Sequence, residues 1–229
     1  MAALNLIGGE KGGVGKSVLA RALAQFHIDR SLPFLGFDTD RSHPTFTRFY
    51  ADFSSPTVID DYHSLDRVAE AIVEQPERSV IVDLAAQTFS PLSRWAEESG
   101  VLTLLKEQGI PVRYWHVMDD GQDSLAMLDA LLKQFSSSMS YVVVLNYGRG
   151  SDFTAFHRSP IKKKALELGA AVIELRRLHE GAMRLIDLRN LSFWSASNRR
   201  GDEAALGLFD RQRVKVWLEK TYEDLARIL

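Results

Sequence analysis

The sequence predicts an α/β fold: a doubly wound, mostly parallel sheet with helices on both faces, in a single domain spanning residues 1–229. Three observations lead there. Apolar, β-type runs recur at residues 2–7, 33–37, 57–59, 79–82, 112–117, 141–145 and 171–175. Stretches of helical periodicity separate most of them, and such alternation predicts parallel pairing. The first run leads directly into a glycine-rich turn that opens an amphipathic helix.

The composition agrees. With 229 residues, 45% hydrophobic and 25% charged, the chain is long and apolar enough to bury a core without metals or staples. A formal net charge of -2 argues against a surface that traps polyanions everywhere, leaving a local basic patch open. The absence of cysteine removes disulfides, thiolate metal sites, iron–sulfur ligation and cysteine nucleophiles together. The first apolar run is short and has no basic region before it, and no run approaches the ~18 apolar residues of a membrane-spanning helix. A cytoplasmic location is expected.

Element ends are readable in order. Ser90-Pro91 and Ser159-Pro160 place an N-cap before a first-turn proline, while Gly109 and Gly169 sit where left-handed C-terminal residues are wanted. Ser136-Ser137-Ser138 reads as a connecting loop, and the polar residues 192–201 as a mobile loop before the last helix. That helix, over about 203–229, carries Val214, Trp217, Leu218, Leu225 and Ile228 on one stripe. Its polar face mixes both signs of charge, which suits core or partner packing better than an anionic lipid surface.

The turn after the first strand reads Lys11-Gly12-Gly13-Val14-Gly15-Lys16-Ser17. A loop that binds phosphates must point several backbone N–H groups inward at once, and Gly12, Gly13 and Gly15 supply the conformational freedom and close approach this demands. Lys16 is placed to reach terminal phosphates and Ser17 to ligate magnesium, and the helix presents its positive end to the anion. Glu10 stands where the usual G-x-x-x-x-G-K-[ST] pattern has its first glycine, and Lys11 follows it.

At these residues the chain resembles the ParA/MinD group of P-loop ATPases, whose deviant loop carries a second, signature lysine. The resemblance implies the P-loop NTPase fold, binding of ATP with Mg2+, and a homodimer that sandwiches two ATP molecules. Lys11 would then contact phosphate across the interface, comparable to an arginine finger, and the nucleotide-contacting stretch would run from Gly12 through Val14, Lys16 and Ser17 to Val18. Two further segments match in order: Gly36-Phe37-Asp38-Thr39-Asp40, and Val80-Ile81-Val82-Asp83. Both end in carboxylates at the C-terminal edge of a strand, where ligands bind in a doubly wound sheet. By this likeness Asp38 and Asp83 sit near magnesium with Ser17, Asp40 holds the attacking water, and Asn146 bonds the adenine ring. Residues 175–178 lack the proline that the group often packs against adenine, and residues 84–87 read Leu-Ala-Ala-Gln where glycine or proline is common.

A narrower likeness, to TraL-type ATPases of conjugative plasmids and related mobilisation proteins, is carried by residues 37–46, 82–93, 104–107 and 211–215. It implies a partner protein of a transfer or partition system. Asp119-Asp120-Gly121 fits a turn with an N-cap, the six histidines lack zinc-ligand spacing, and Lys162-Lys163-Lys164 fits a solvated helix face, with DNA open as a partner. Two rival functions stay open: an ATP-dependent small-molecule ligase of the same fold, and an ATP-gated binding module without turnover, for which Asp40 is the discriminating residue.

Overall fold

The computed structural model describes residues 2–9 and 11–229; Glu10, where the loop departs from the usual pattern, lies outside them. Among the described residues, seven strands form one sheet: β1 Leu4–Gly8, β2 Phe34–Asp38, β3 Ser54–Pro56, β4 Ser79–Asp83, β5 Val112–Met118, β6 Ser140–Asn146 and β7 Ala171–Leu175. The spatial order is β3-β2-β4-β1-β5-β6-β7, and every pair is parallel. The expected doubly wound fold is what the chain adopts, with β1 at the point where the winding reverses.

Side chains alternate along each strand, so consecutive residues feed opposite cores. Leu4, Leu6, Val80, Val82 and Tyr114 pack under α3 (Tyr62–Glu74), α4 (Phe89–Ser99), α5 (Val101–Glu107) and α6 (Gln122–Phe135), with α7 (Thr154–Arg158) and α8 (Pro160–Glu167) beyond. Ile7, Ile81, Trp115 and Val117 face the other layer. It consists of α1 (Lys16–Asp29), α2 (Thr45–Phe49), α9 (Glu180–Leu188), α10 (Phe193–Asn198) and α11 (Leu208–Leu225).

Several local expectations hold. Ser159 caps α8 by accepting from the Lys162 amide at 3.1 Å, with Pro160 in the first turn. Gly109 and Gly169 follow their helices with φ of 69° and 77°. Ser136–Ser138 connects α6 to β6 as a single 3-10 turn.

Four expectations are corrected. The third strand is Ser54–Pro56, not 57–59: the Gly36 amide bonds the Phe53 carbonyl and the Thr57 amide bonds the Asp38 carbonyl, both at 2.8 Å. This strand is at the sheet edge, where Pro56 and polar serines are tolerated, whereas Ile59 buries itself from a turn. Helix α4 begins at Phe89 with Thr88 as its N-cap, so Pro91 is the third helical residue, where its missing N–H is still one of the unpaired ones. Residues 193–198 form α10 rather than a mobile loop, capped by the Ser192 hydroxyl and anchored by the fully buried Phe193 and Ala196. The last helix starts at Leu208, and its stripe of Val214, Trp217, Leu218 and Leu225 is buried in the second core. Among the described residues no helix is long and apolar enough to cross a membrane.

Trp115 is fully buried in the middle of the sheet, and its indole N–H donates to Asn5 Oδ1 at 3.0 Å. Trp115→Ala therefore removes a large packed volume together with a buried hydrogen bond. The expected loss is about 3–5 kcal/mol in urea unfolding; a loss under ~1 kcal/mol would contradict the placement of this ring.

Candidate functional site

The turn from β1 into α1 is built around Gly15, the N-cap of α1, at φ 104° and ψ 20°. That left-handed conformation disfavours any other residue, and an added Cβ would run into the Asn146 amide nitrogen. Among the described residues no side chain caps α1. The Val18 and Leu19 amides bond the Gly15 carbonyl, each at 3.1 Å, and the positive end of the helix is at the cleft that Gly15, Lys16 and Ser17 line. The buried Lys16 lies across the loop, its Nζ donating to the carbonyls of Gly9 at 2.8 Å and Lys11 at 3.2 Å.

Asn146, at the end of β6, is buried rather than presented to an open base pocket. Its Nδ2 donates to the Val14 carbonyl at 2.6 Å and its Oδ1 accepts from the Gly148 amide at 2.9 Å. In this structure the amide braces the loop; contact with a base is a role these bonds do not supply.

Sheet register assembles the carboxylates. Asp38 pairs with Asp83 across β2 and β4, and Asp83 pairs with Ile7 across β4 and β1. Asp83 is buried, and neither oxygen has a hydrogen bond of good geometry, although the Ser17 hydroxyl lies near enough to lower its pKa. Burial dominates and pushes the carboxyl up to about 7, with Asp38 adding to the rise and Lys16 opposing it. Asp38 is also raised by burial, but its oxygens accept from the amides of Asp40 and Thr47, each at 3.0 Å. It thus pins the loop that carries Asp40. Asp40 lines the cleft and closes its own turn, Oδ1 accepting from the amides of Ser42 at 3.0 Å and His43 at 2.8 Å.

These parts open on one cleft of about 540 Å³, with Gly13, Lys16 and Ser17 on its floor and Asp40, Arg48 and Arg149 around it. Val18 also lines it, while Val14 is buried beneath the loop. Gly12 is at its edge.

Lys11 is not the bare loop lysine that its position allows. Its Nζ pairs with Asp119 Oδ2 at 3.0 Å, and this hydrogen bond raises the ammonium pKa. Asp119 is set by accepting from the Gly121 amide at 3.1 Å and the Ser124 hydroxyl at 2.7 Å. The expected turn is there, but the cap of α6 is Gly121 itself. Other basic residues are neutralised locally: Lys164 pairs with Asp129 at 3.2 Å and Arg199 with Asp202 at 2.6 Å. Sequence reading missed Thr39, whose amide and hydroxyl both donate to the Asp83 carbonyl while the hydroxyl accepts from Ala85, locking the exits of β2 and β4 together. It also missed Arg21 and Asp187, which line the same cleft.

The chain is 29% identical to Protein TraL of Escherichia coli over 242 residues, 98% of each chain. It is 31% identical to a second Escherichia coli Protein TraL over 154 residues, 64% of each. Protein MobD of Acidithiobacillus ferrooxidans is 25% identical over 168 residues, 72% of this chain and 73% of that one. No protein-family model matches. Among solved structures, a nucleotide-binding protein from Archaeoglobus fulgidus in complex with ADP aligns with 82% of this chain and 84% of its own, at 13% identity and a TM-score of 0.47.

The buried Asp83 makes stability depend on pH. Its folded pKa, about 7, lies above the ordinary 3.8, so between those values the folded state holds a proton that the unfolded state releases. Stability from this group is therefore full at low pH and lost as pH rises through about 7. Asp83→Asn is expected to stabilise the nucleotide-free protein at pH 8 by up to about 4 kcal/mol, and by much less at pH 5. The difference between variant and parent isolates Asp83 from His116, which burial holds down at about 4. A pH-independent difference in melting experiments would contradict the assignment.

Proposed function

We propose that the chain is an ATP-binding, slowly hydrolysing ATPase of the ParA/MinD type, acting as a dimerising nucleotide switch in plasmid conjugative transfer, mobilisation or partition. The observation that carries this reading is the uncapped start of α1, entered through a left-handed Gly15 with the buried Lys16 folded over the loop. A helix opened in this way turns its positive end and a cation toward the cleft, an arrangement suited to an anion of several charges. The similarity to TraL and MobD proteins supports the transfer or mobilisation setting.

Magnesium fits the donors present. Asp83 is a buried carboxylate with neither oxygen satisfied, behind the Ser17 hydroxyl, and a divalent cation would remove the cost of that uncompensated charge. Among the described residues no three His, Asp or Glu side chains gather to hold a metal. Water and phosphate oxygens would complete the shell, as this ion prefers. When bound, the ion would neutralise phosphate charge. Ser17 and Asp83 would hold it, with Asp38 acting through the loop it pins.

Asp40, at the cleft edge, is the group to orient an attacking water. Lys11 is exposed enough to leave Asp119 and reach a phosphate in a second copy of the chain. Solvent screens an exposed ion pair of this kind, so a triphosphate competes with it readily. The partners of this reading are a second subunit in the ATP state and a protein of the transfer or partition apparatus, in the cytoplasm.

Three substitutions test it. Lys16→Ala is expected to weaken Mg-ATP binding at least ~100-fold in calorimetric titration; unchanged affinity would remove the loop from nucleotide binding. Lys11→Ala should bind ATP as the parent does yet stay monomeric in light scattering, whereas an ATP-dependent dimer of that variant would rule out the cross-subunit role. For Asp40→Ala, phosphate release should fall ~100-fold or more with the ATP dimer retained, and turnover at the parental rate would exclude Asp40 from the chemistry.

A further inference from the structure

Arg21 is one turn beyond Ser17 on α1, on the same face, about 6 Å along the helix axis. Its side chain is 2% exposed, and its guanidinium sits 3.7 Å from the Phe49 ring centroid and 4.7 Å from that of Phe193. Those rings come from α2 and α10. Nη1 donates to Asp187 Oδ1 at 3.0 Å, while Nε and Nη2 are buried without a hydrogen-bond partner. Asp187, near the end of α9, is 48% exposed and lines the cleft together with Ser17 and Val18.

This is a poor device for stability alone. A buried guanidinium with two unpaired nitrogens is costly, and a half-exposed carboxylate repays little of that cost. What the arrangement does achieve is orientation. Two aromatic faces fix the plane of the guanidinium, and the guanidinium fixes one oxygen of Asp187, leaving the other available at the cleft wall.

A carboxylate only accepts hydrogen bonds, so it repels phosphate oxygens and selects a donor. With phosphates held at the first amides of α1, the group that follows one helical turn along the same wall is the sugar. We propose that Asp187, positioned by Arg21, accepts from a ribose hydroxyl of the bound nucleotide, so that the cleft selects ribonucleoside over deoxyribonucleoside triphosphates. The inference rests on the reading of the cleft as a triphosphate site and adds a specificity-determining residue to it.

The test uses the full chain with Mg-ATP, Mg-2′-deoxy-ATP and Mg-3′-deoxy-ATP in competition titrations. The parent should bind ATP about 10-fold more tightly than at least one deoxy analogue, the effect of one charge-assisted hydrogen bond. Asp187→Ala should lose that discrimination. Because it uncovers a buried Arg21, the paired variant Arg21→Met with Asp187→Leu is the control for folding, and it should bind the three nucleotides equally. Arg21→Lys should retain more discrimination than Arg21→Met, an ordering that a purely structural arginine would not produce. Equal binding of all three nucleotides by the parent would overturn the sugar contact while leaving the triphosphate site intact. Binding of none would overturn the site itself and this inference with it.

Discussion

Helix α1 is entered through a left-handed glycine, with no side-chain cap among the described residues, and much of this molecule is arranged around that turn. Gly15 takes the conformation with its Cα against the Asn146 amide, and Asn146 in turn holds the Val14 carbonyl. The loop is thereby held in one shape, with the positive end of α1 at the cleft. Lys16 supplies the nearby positive charge while bonding the loop's own carbonyls. Strand, loop, helix and the end of β6 form one mechanical unit.

The sheet then brings negative groups to the same place. Because β4 lies between β2 and β1, the ends Asp38, Asp83 and Ile7 fall in adjacent register. Two carboxylates so close, one of them without hydrogen bonds, would be hard to justify in an inert turn. On the proposed reading, a cation beside them would offset that cost. The network continues outward through ordinary bonds: Thr39 ties β2 to the exit of β4, Asp38 ties the Asp40 turn to α2, and α2 leans through Phe49 on Arg21. Contacts thus run from the Asp40 turn through α2 and Arg21 to α9 and α10.

The fold and the loop were legible because their signals are local or periodic: glycine spacing, apolar runs and the lysine-serine start of α1. What was missed depends on contacts between distant residues. Arg21 and Asp187 are 166 positions apart, and Lys11 and Asp119 are 108 apart, so no spacing rule joins them. The edge strand was displaced because ladder hydrogen bonds, not β-branched side chains, decided its register. Polar composition at 192–201 concealed α10, whose Ser197 hydroxyl bonds back to the Phe193 carbonyl while Phe193 and Ala196 fill the core. Asn146 was noticed for its chemistry, but burial against Gly15 gives it bracing work that sequence does not reveal.

On the proposed reading, the amides of residues 11–18 form a cradle for the phosphates of Mg-ATP. Residue-resolved hydrogen exchange of the full chain, with and without saturating Mg-ATP, addresses it directly. The amides at the start of α1 are expected to be strongly protected by nucleotide, and those in the segments after Asp38 and Asp83 more weakly. Unaltered exchange across residues 11–18 at saturating nucleotide would contradict it.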